Sequence, residues 1–246
     1  VSLQVSDRQS RLEPTQLPVP AGLMSVQPRP QSTGFDKDRK WRWIPLLEAY
    51  DAKGEGGGTP ACMVINRTGR FAGSVVVSFA LPPAAYTDQV VAMVSGLIGR
   101  IRDGRLLQEG GAQYYAYFPG EDVTLGARLA DLPAADVSGL LARFFVTSEI
   151  GTEFEQTVPF EDGVATCVWR PGQFAKDDYE VTCTLLAAGG KPLDMLRHPV
   201  VVWNPPREPG FMQVRDGQFV LNGQRWIAHG VNYMPSSEIG IEDGEN

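Results

Sequence analysis

Cysteine and histidine are scarce in this chain, with three Cys and two His among 246 residues. Cys62, Cys167 and Cys183 form no C-x-x-C pair, and His198 and His229 complete no ligand set. No metal site and no cofactor are therefore expected. The odd cysteine count leaves at least one thiol free. Cys167 and Cys183 lie on segments that read as neighbouring strands, which leaves a disulfide between them open. No apolar run approaches the ~18 residues that a membrane helix needs. Basic charge is also short: 22 Lys and Arg stand against 29 Asp and Glu, for a net charge of −7. Nucleic acid and anionic membrane both call for a basic face, so neither is expected as a partner, whereas uncharged ligands remain compatible. The Gly-rich "GEGGG" at 54–58 has no Lys-Ser/Thr after it and no helix to follow, which excludes a phosphate loop. No nucleophile-elbow frame is present to support a catalytic triad. The opening "VSLQVSDRQS" has no basic stretch leading into an apolar one, so no signal peptide is read there.

What the chain does contain is apolar residues, 43% of the total, enough to bury a core. Its length has room for about two domains. Residues 1–36 carry Pro14, Pro18, Pro20, Pro28 and Pro30 and read as an extended strap or linker, in which "SLQV" could add one edge strand. From Trp41 the pattern changes. "WRWIPLLEAYD", "ACMVINR" and "AGSVVVSFAL" read as strands separated by Gly-rich turns. In "AYTDQVVAMVSGLIGRIRDG" the residues Val90, Val91, Val94, Leu97, Ile98 and Ile101 recur at three- and four-residue steps. That spacing predicts an amphipathic helix over about 86–103, with Thr87 as N-cap and Gly104 as its stop. Residues 37–118 thus form a mixed α/β segment with one helix.

From "GEDVTLGARLADL" onward every signal is β. "LLARFFVTS", "GVATCVWRP" and "DYEVTCTLLAA" alternate, and "KPLDMLRHPVVVWNP" follows a tight "AGG" turn. Several strands of ~6–9 residues within about 90 predict an immunoglobulin-like β-sandwich over 119–206. A Pro-rich boundary, "NPPREPG", closes it. In the last segment, 207–246, Asp216-Gly217 and Asn222-Gly223 are hairpin signals, which predict a small ribbon of "FMQVRD", "QFVLN" and "QRWIAHGVN". The fold class is therefore mainly β.

The frame "DGQFVLNGQRWIAHGVNYMPS" is similar to the entry into the (β/α)8 barrel of retaining β-glycoside hydrolases, among them β-galactosidase, β-glucuronidase and cellulase relatives. The resemblance covers about 36 residues, or some 130 with the sandwich before it. In that group a hairpin closes the bottom of the barrel and the first barrel strand runs through "GVN". It implies that this chain is an accessory portion ending at the first barrel strand, with carbohydrate as substrate and the remainder of the barrel as partner. By the same resemblance Asn232 and Tyr233 line the sugar pocket. His229 either points into that region or is a hydrogen-bonded core histidine. "RWIAHGV" is nearly continuous in apolar and small residues, as a barrel strand buried on both faces requires.

The paired carboxylates of a retaining mechanism belong, in that group, to later barrel strands. Glu238, Glu242, Asp243 and Glu245 read instead as a solvated acidic tail, so no catalytic residue is assigned and the chain alone is expected to be inactive. A secreted or periplasmic setting would suit polysaccharide degradation, although no residue here shows one. Two further readings stand beside this. "W-x-W-I-P-L-L-E-A" with "EGGAQYYAYFPGE" resembles an amidotransferase-like region that precedes the sandwich in large bacterial glycoside hydrolases. Trp41, Trp43, Tyr50, Tyr114, Tyr115, Tyr117 and Phe118 could stack on sugar rings, in a non-catalytic binding or structural module, though one face of the alternating "YYAYF" belongs to a core.

Overall fold

The computed structural model describes residues 2–5, 16–17, 33–54, 56–132, 136–204 and 210–227. Of these, 52% are in strands and 12% in helices, so the protein is mainly β with several antiparallel sheets. The chain divides into two compact units, Val1–Asn204 and Pro205–Asn246.

The first unit opens with a five-stranded sheet. Its strands are β1 (Ser2–Val5), β2 (Gln16–Leu17), β3 (Trp41–Tyr50), β4 (Gly56–Asn66) and β5 (Ser74–Phe79), ordered β2-β1-β3-β4-β5. "SLQV" is thus a strand, but an inner one, because β2 pairs with its far side. The helix α1 (Asp88–Asp103) follows, and its ends are chemical. Thr87 accepts from the Val90 backbone N–H, and Gly104 stops the helix in the left-handed conformation at φ 69°. Val90 and Leu97, seven residues apart, bury their side chains with Ile44, Leu46, Met63 and Ile65 of the sheet.

The next strands are β6 (Leu107–Ala112), β7 (Ala116–Tyr117), β8 (Val123–Leu129), β9 (Leu141–Ser148), β10 (Gly151–Pro159), β11 (Val164–Trp169), β12 (Asp178–Leu186) and β13 (Pro192–Val202). They form two sheets, ordered β11-β8-β6 and β10-β9-β12-β13-β7. Both contribute to one core in which Leu125, Ala127, Phe144, Val146, Val181, Leu185 and Leu196 are wholly buried. Each such Leu, Val or Phe stabilises the fold by about 1.5–3 kcal/mol relative to exposure. β6 and β7 pair with β8 and β13, so the sheets run across the 118/119 boundary that the sequence suggests. β11 and β12, consecutive in the chain, lie in different sheets. Cys167 and Cys183 are on these strands as buried free thiols, and Cys62 is also free. Burial raises the Cys167 thiol to about 11.

The two cores of this unit meet at a buried ion cluster. Asp194 of β13 receives Arg42 Nη1 of β3 at 2.5 Å, Arg100 Nη2 of α1 at 2.6 Å and the Leu107 N–H at 2.8 Å. Arg42 also donates to the carbonyls of Leu107 and Met195. Sheet, helix and second core are thereby held in one register by directional bonds, where apolar packing alone would tolerate slippage.

The second unit is a ribbon of β14 (Gln213–Arg215), β15 (Gln218–Leu221) and β16 (Gln224–Arg225). Its two turns are Asp216-Gly217 and Asn222-Gly223, all four residues at positive φ, which matches the twist of an antiparallel hairpin. Among the described residues no helix is long and apolar enough to cross a membrane.

Candidate functional site

His229, Asn232 and Tyr233, together with the acidic tail that contains Glu238 and Glu242, lie outside the described residues. The ribbon leading towards them is described as far as Ile227. It leaves Phe211, Val214, Phe219 and Ile227 substantially exposed, with Trp226 edge-on to Phe219 at 6.5 Å.

The aromatics that the sequence offers for stacking separate into two groups. Trp43 and Tyr117 are buried, and Trp41 and Tyr50 are half-buried in their sheet. Tyr114, Tyr115 and Phe118 stay in solvent at 55%, 41% and 48% exposure. Alternation accounts only for the last pair, Tyr117 and Phe118, because Tyr114 and Tyr115 precede β7 and are both exposed. Tyr117 faces the core beside Val202, while Phe118 turns outward against Trp203, with ring centroids 5.3 Å apart.

The two adjacent tyrosines rest on a rigid base, built largely by residues 33–38. Gly34 N–H donates to the Gly110 carbonyl, and Phe35 N–H to that of Ala112. Phe35 lies flat on Gly126, where any Cβ would come within 2.3 Å of the ring. Gly111 is equally constrained, because φ +133° and a Cβ position 2.5 Å from the His198 side chain exclude larger residues. Tyr115 Oη donates to the Thr33 carbonyl at 2.8 Å, and its ring lies 4.4 Å from that of His198. His198 is wholly buried. Its Nε2 lies 3.3 Å from the Tyr114 carbonyl and its Nδ1 3.0 Å from Thr33 Oγ1. A carbonyl can only accept, so Nε2 carries the proton and Nδ1 accepts from the Thr33 hydroxyl. Burial, then the charges of Lys37 and Arg39, lower its pKa to about 4. It is a neutral structural imidazole rather than an acid–base group at neutral pH.

Above this base, Lys37 Nζ stands 5.4 Å from the Tyr114 ring centre and 5.9 Å from that of Tyr115. Gln113 Nε2 donates to Asp36 Oδ2 at 3.3 Å. Asp36 and Asp38 hold positive φ, at 58° and 50°, which places their side chains and that of Lys37 around the tight turn. Burial and the neighbouring Arg39 charge lower the Lys37 pKa below the usual lysine range. The result is a ledge: two aromatic faces bordered by an ammonium, a carboxylate and an amide. Sequence reasoning singled out Tyr114, Tyr115 and Phe118 but missed Asp36, Lys37, Gln113 and Trp203, because nothing local signals that residues 36–37 fold back onto 113–115.

Glu109 lies just beneath, wholly buried, and accepts from the Arg39 N–H at 2.7 Å with Arg128 Nε at 3.6 Å from its other oxygen. Among the described residues no group of His, Cys, Asp or Glu is arranged to hold a metal ion. Comparison with known proteins supplies no relative: no family model matches the chain, and no curated protein matches it.

Proposed function

We propose that this chain is the accessory, N-terminal part of a retaining glycoside hydrolase acting on β-linked carbohydrate, with the acid/base and nucleophile carboxylates outside these residues. One observation carries the reading: an immunoglobulin-like strand order followed directly by a two-turn ribbon of the kind that closes a barrel. Taking β6 as the first strand, the three-stranded sheet holds strands one, two and five. The facing sheet holds strands three, four, six and seven, with the short β7 parallel to the last. This division resembles that of an immunoglobulin-like sandwich with the fourth strand moved beside the third, and so supports the reading. A corner tyrosine supports it: Tyr179, at the start of the sixth strand, accepts at Oη from the Lys176 N–H, three residues upstream, at 2.8 Å. The ribbon's exposed apolar residues favour a partner surface, which the rest of a barrel would supply.

The test is hydrolysis. A polypeptide extended past Asn246 should release reducing sugar from β-linked glycans, whereas the 246-residue chain should release none. Absence of turnover by the extended polypeptide on a broad panel of β-glycosides would sink the reading. A second reading, a carbohydrate-binding module without catalysis, is favoured by the tyrosine ledge. It predicts glycan affinity in the 246-residue chain and no hydrolysis from any extension.

A further inference from the structure

We propose that Tyr114, Tyr115, Lys37 and Asp36 form a binding subsite for uncharged hexose units of a β-linked glycan. The subsite rests on the carbohydrate reading above and gives it residues and a substrate class. Its first support is exposure. Two consecutive tyrosines leave 55% and 41% of their surface in water, although neighbouring Tyr117 fills the core. Flat amphipathic rings of this kind match the C–H faces of a pyranose. The second support is the arrangement of polar groups. The Lys37 ammonium lies over both rings, and Gln113, next to Tyr114 in the chain, donates to Asp36, so donors and an acceptor accompany the two exposed rings. That pattern suits a ligand with an apolar face and a rim of hydroxyls.

The third support is preorganisation. Tyr115 is tied to Thr33, the turn is tied to β6 by the Gly34 and Phe35 N–H groups, and Phe35 is locked over Gly126. Little side-chain or loop freedom remains to be lost on binding. Charge selects the uncharged class. The turn carries Asp36, Lys37, Asp38, Arg39 and Lys40, one net positive charge within a chain of net charge −7, so a polyanion gains little overall attraction.

Isothermal titration of the 246-residue chain tests this with matched oligosaccharides: cello- and β-manno-oligosaccharides against oligomers of β-glucuronate and β-mannuronate. At least one neutral series should bind, and its matched uronate should bind at least about fivefold more weakly at low salt. Tyr114→Ala should weaken the neutral sugar by about tenfold, and Lys37→Met by tenfold or more through the lost charged donor. Both variants should keep the wild-type far-ultraviolet circular dichroism and thermal midpoint. Tyr86→Ala, an exposed tyrosine outside the ledge, should change nothing. Tighter uronate binding would overturn the neutral subsite while leaving the carbohydrate reading intact. Neutral binding that survives both ledge variants would overturn the assignment of residues. No binding by this chain to any series, with hydrolysis by the extended polypeptide, would overturn the subsite alone.

Discussion

Asp194 shows how much a single side chain can determine here. It is wholly buried, as is Arg42, and lies 152 residues away from it in sequence. Two guanidiniums and the backbone N–H groups of Leu107 and Met195 converge on its carboxylate. Burial alone would raise its pKa, but Arg42 and Arg100 outweigh that and hold it below the ordinary aspartate range. Replacing all the charges of such a cluster by apolar groups costs little, whereas removing only the anion leaves the Arg42 guanidinium buried without its carboxylate. Asp194→Asn should therefore destabilise the first unit by about 3–5 kcal/mol in chemical denaturation. A loss below about 1 kcal/mol would show that the cluster is not what joins the two cores. Nothing in the local sequence announces this contact. "KPLDMLRHP" reads as an alternating strand, and only the sheet arrangement reveals that its aspartate meets two arginines from another layer.

Among the elements, α1 and the ribbon turns are the most legible, because their signals are local. Apolar spacing, Thr87 and Gly104 fix the helix, and Asp-Gly with Asn-Gly fix the hairpins. The residue 33–38 turn is the opposite case. It is defined by Phe35 on Gly126, by Gly34 against β6 and by Thr33 on His198, at separations up to 165 residues. Its clamp predicts a pH dependence. His198 has a folded pKa of about 4 against 6.5 for the free side chain, so the unfolded chain binds a proton more readily. Stability is then full above about pH 6.5 and falls as pH drops towards 4, by a total on the order of 3 kcal/mol. The groups opposing its protonation are Lys37 and Arg39, while the Tyr114 carbonyl favours it. Thermal melts between pH 7 and 4 should show this loss, and His198→Gln should flatten the slope. A wild-type profile that is level between pH 6.5 and 4.5 would contradict the clamp.

For the molecule as a whole, alternation and turn chemistry make the mainly β class readable, and the Pro-rich stretch at 204–210 coincides with the division between the two units. Strand partnership is not readable in the same way. β6 and β7 follow a helix and look like the end of a mixed segment, yet they pair with β8 and β13 because the edges those strands leave open are where their apolar faces can be covered. The site divides likewise. The alternation in "YYAYF" foretells the inward Tyr117 and outward Phe118 but not the exposure of Tyr115, and Lys37 and Asp36 come near the tyrosines only through the folded turn. His229, Asn232 and Tyr233 remain assignments from resemblance, on residues beyond those described. The proposed function requires that these β units precede a retaining catalytic barrel. Proton nuclear magnetic resonance of a β-linked oligosaccharide, incubated with the polypeptide extended past Asn246, tests it most directly. The first product should carry the β-anomer, and the 246-residue chain should yield none. An α-anomer formed first, or no cleavage at all by the extended polypeptide, would contradict it.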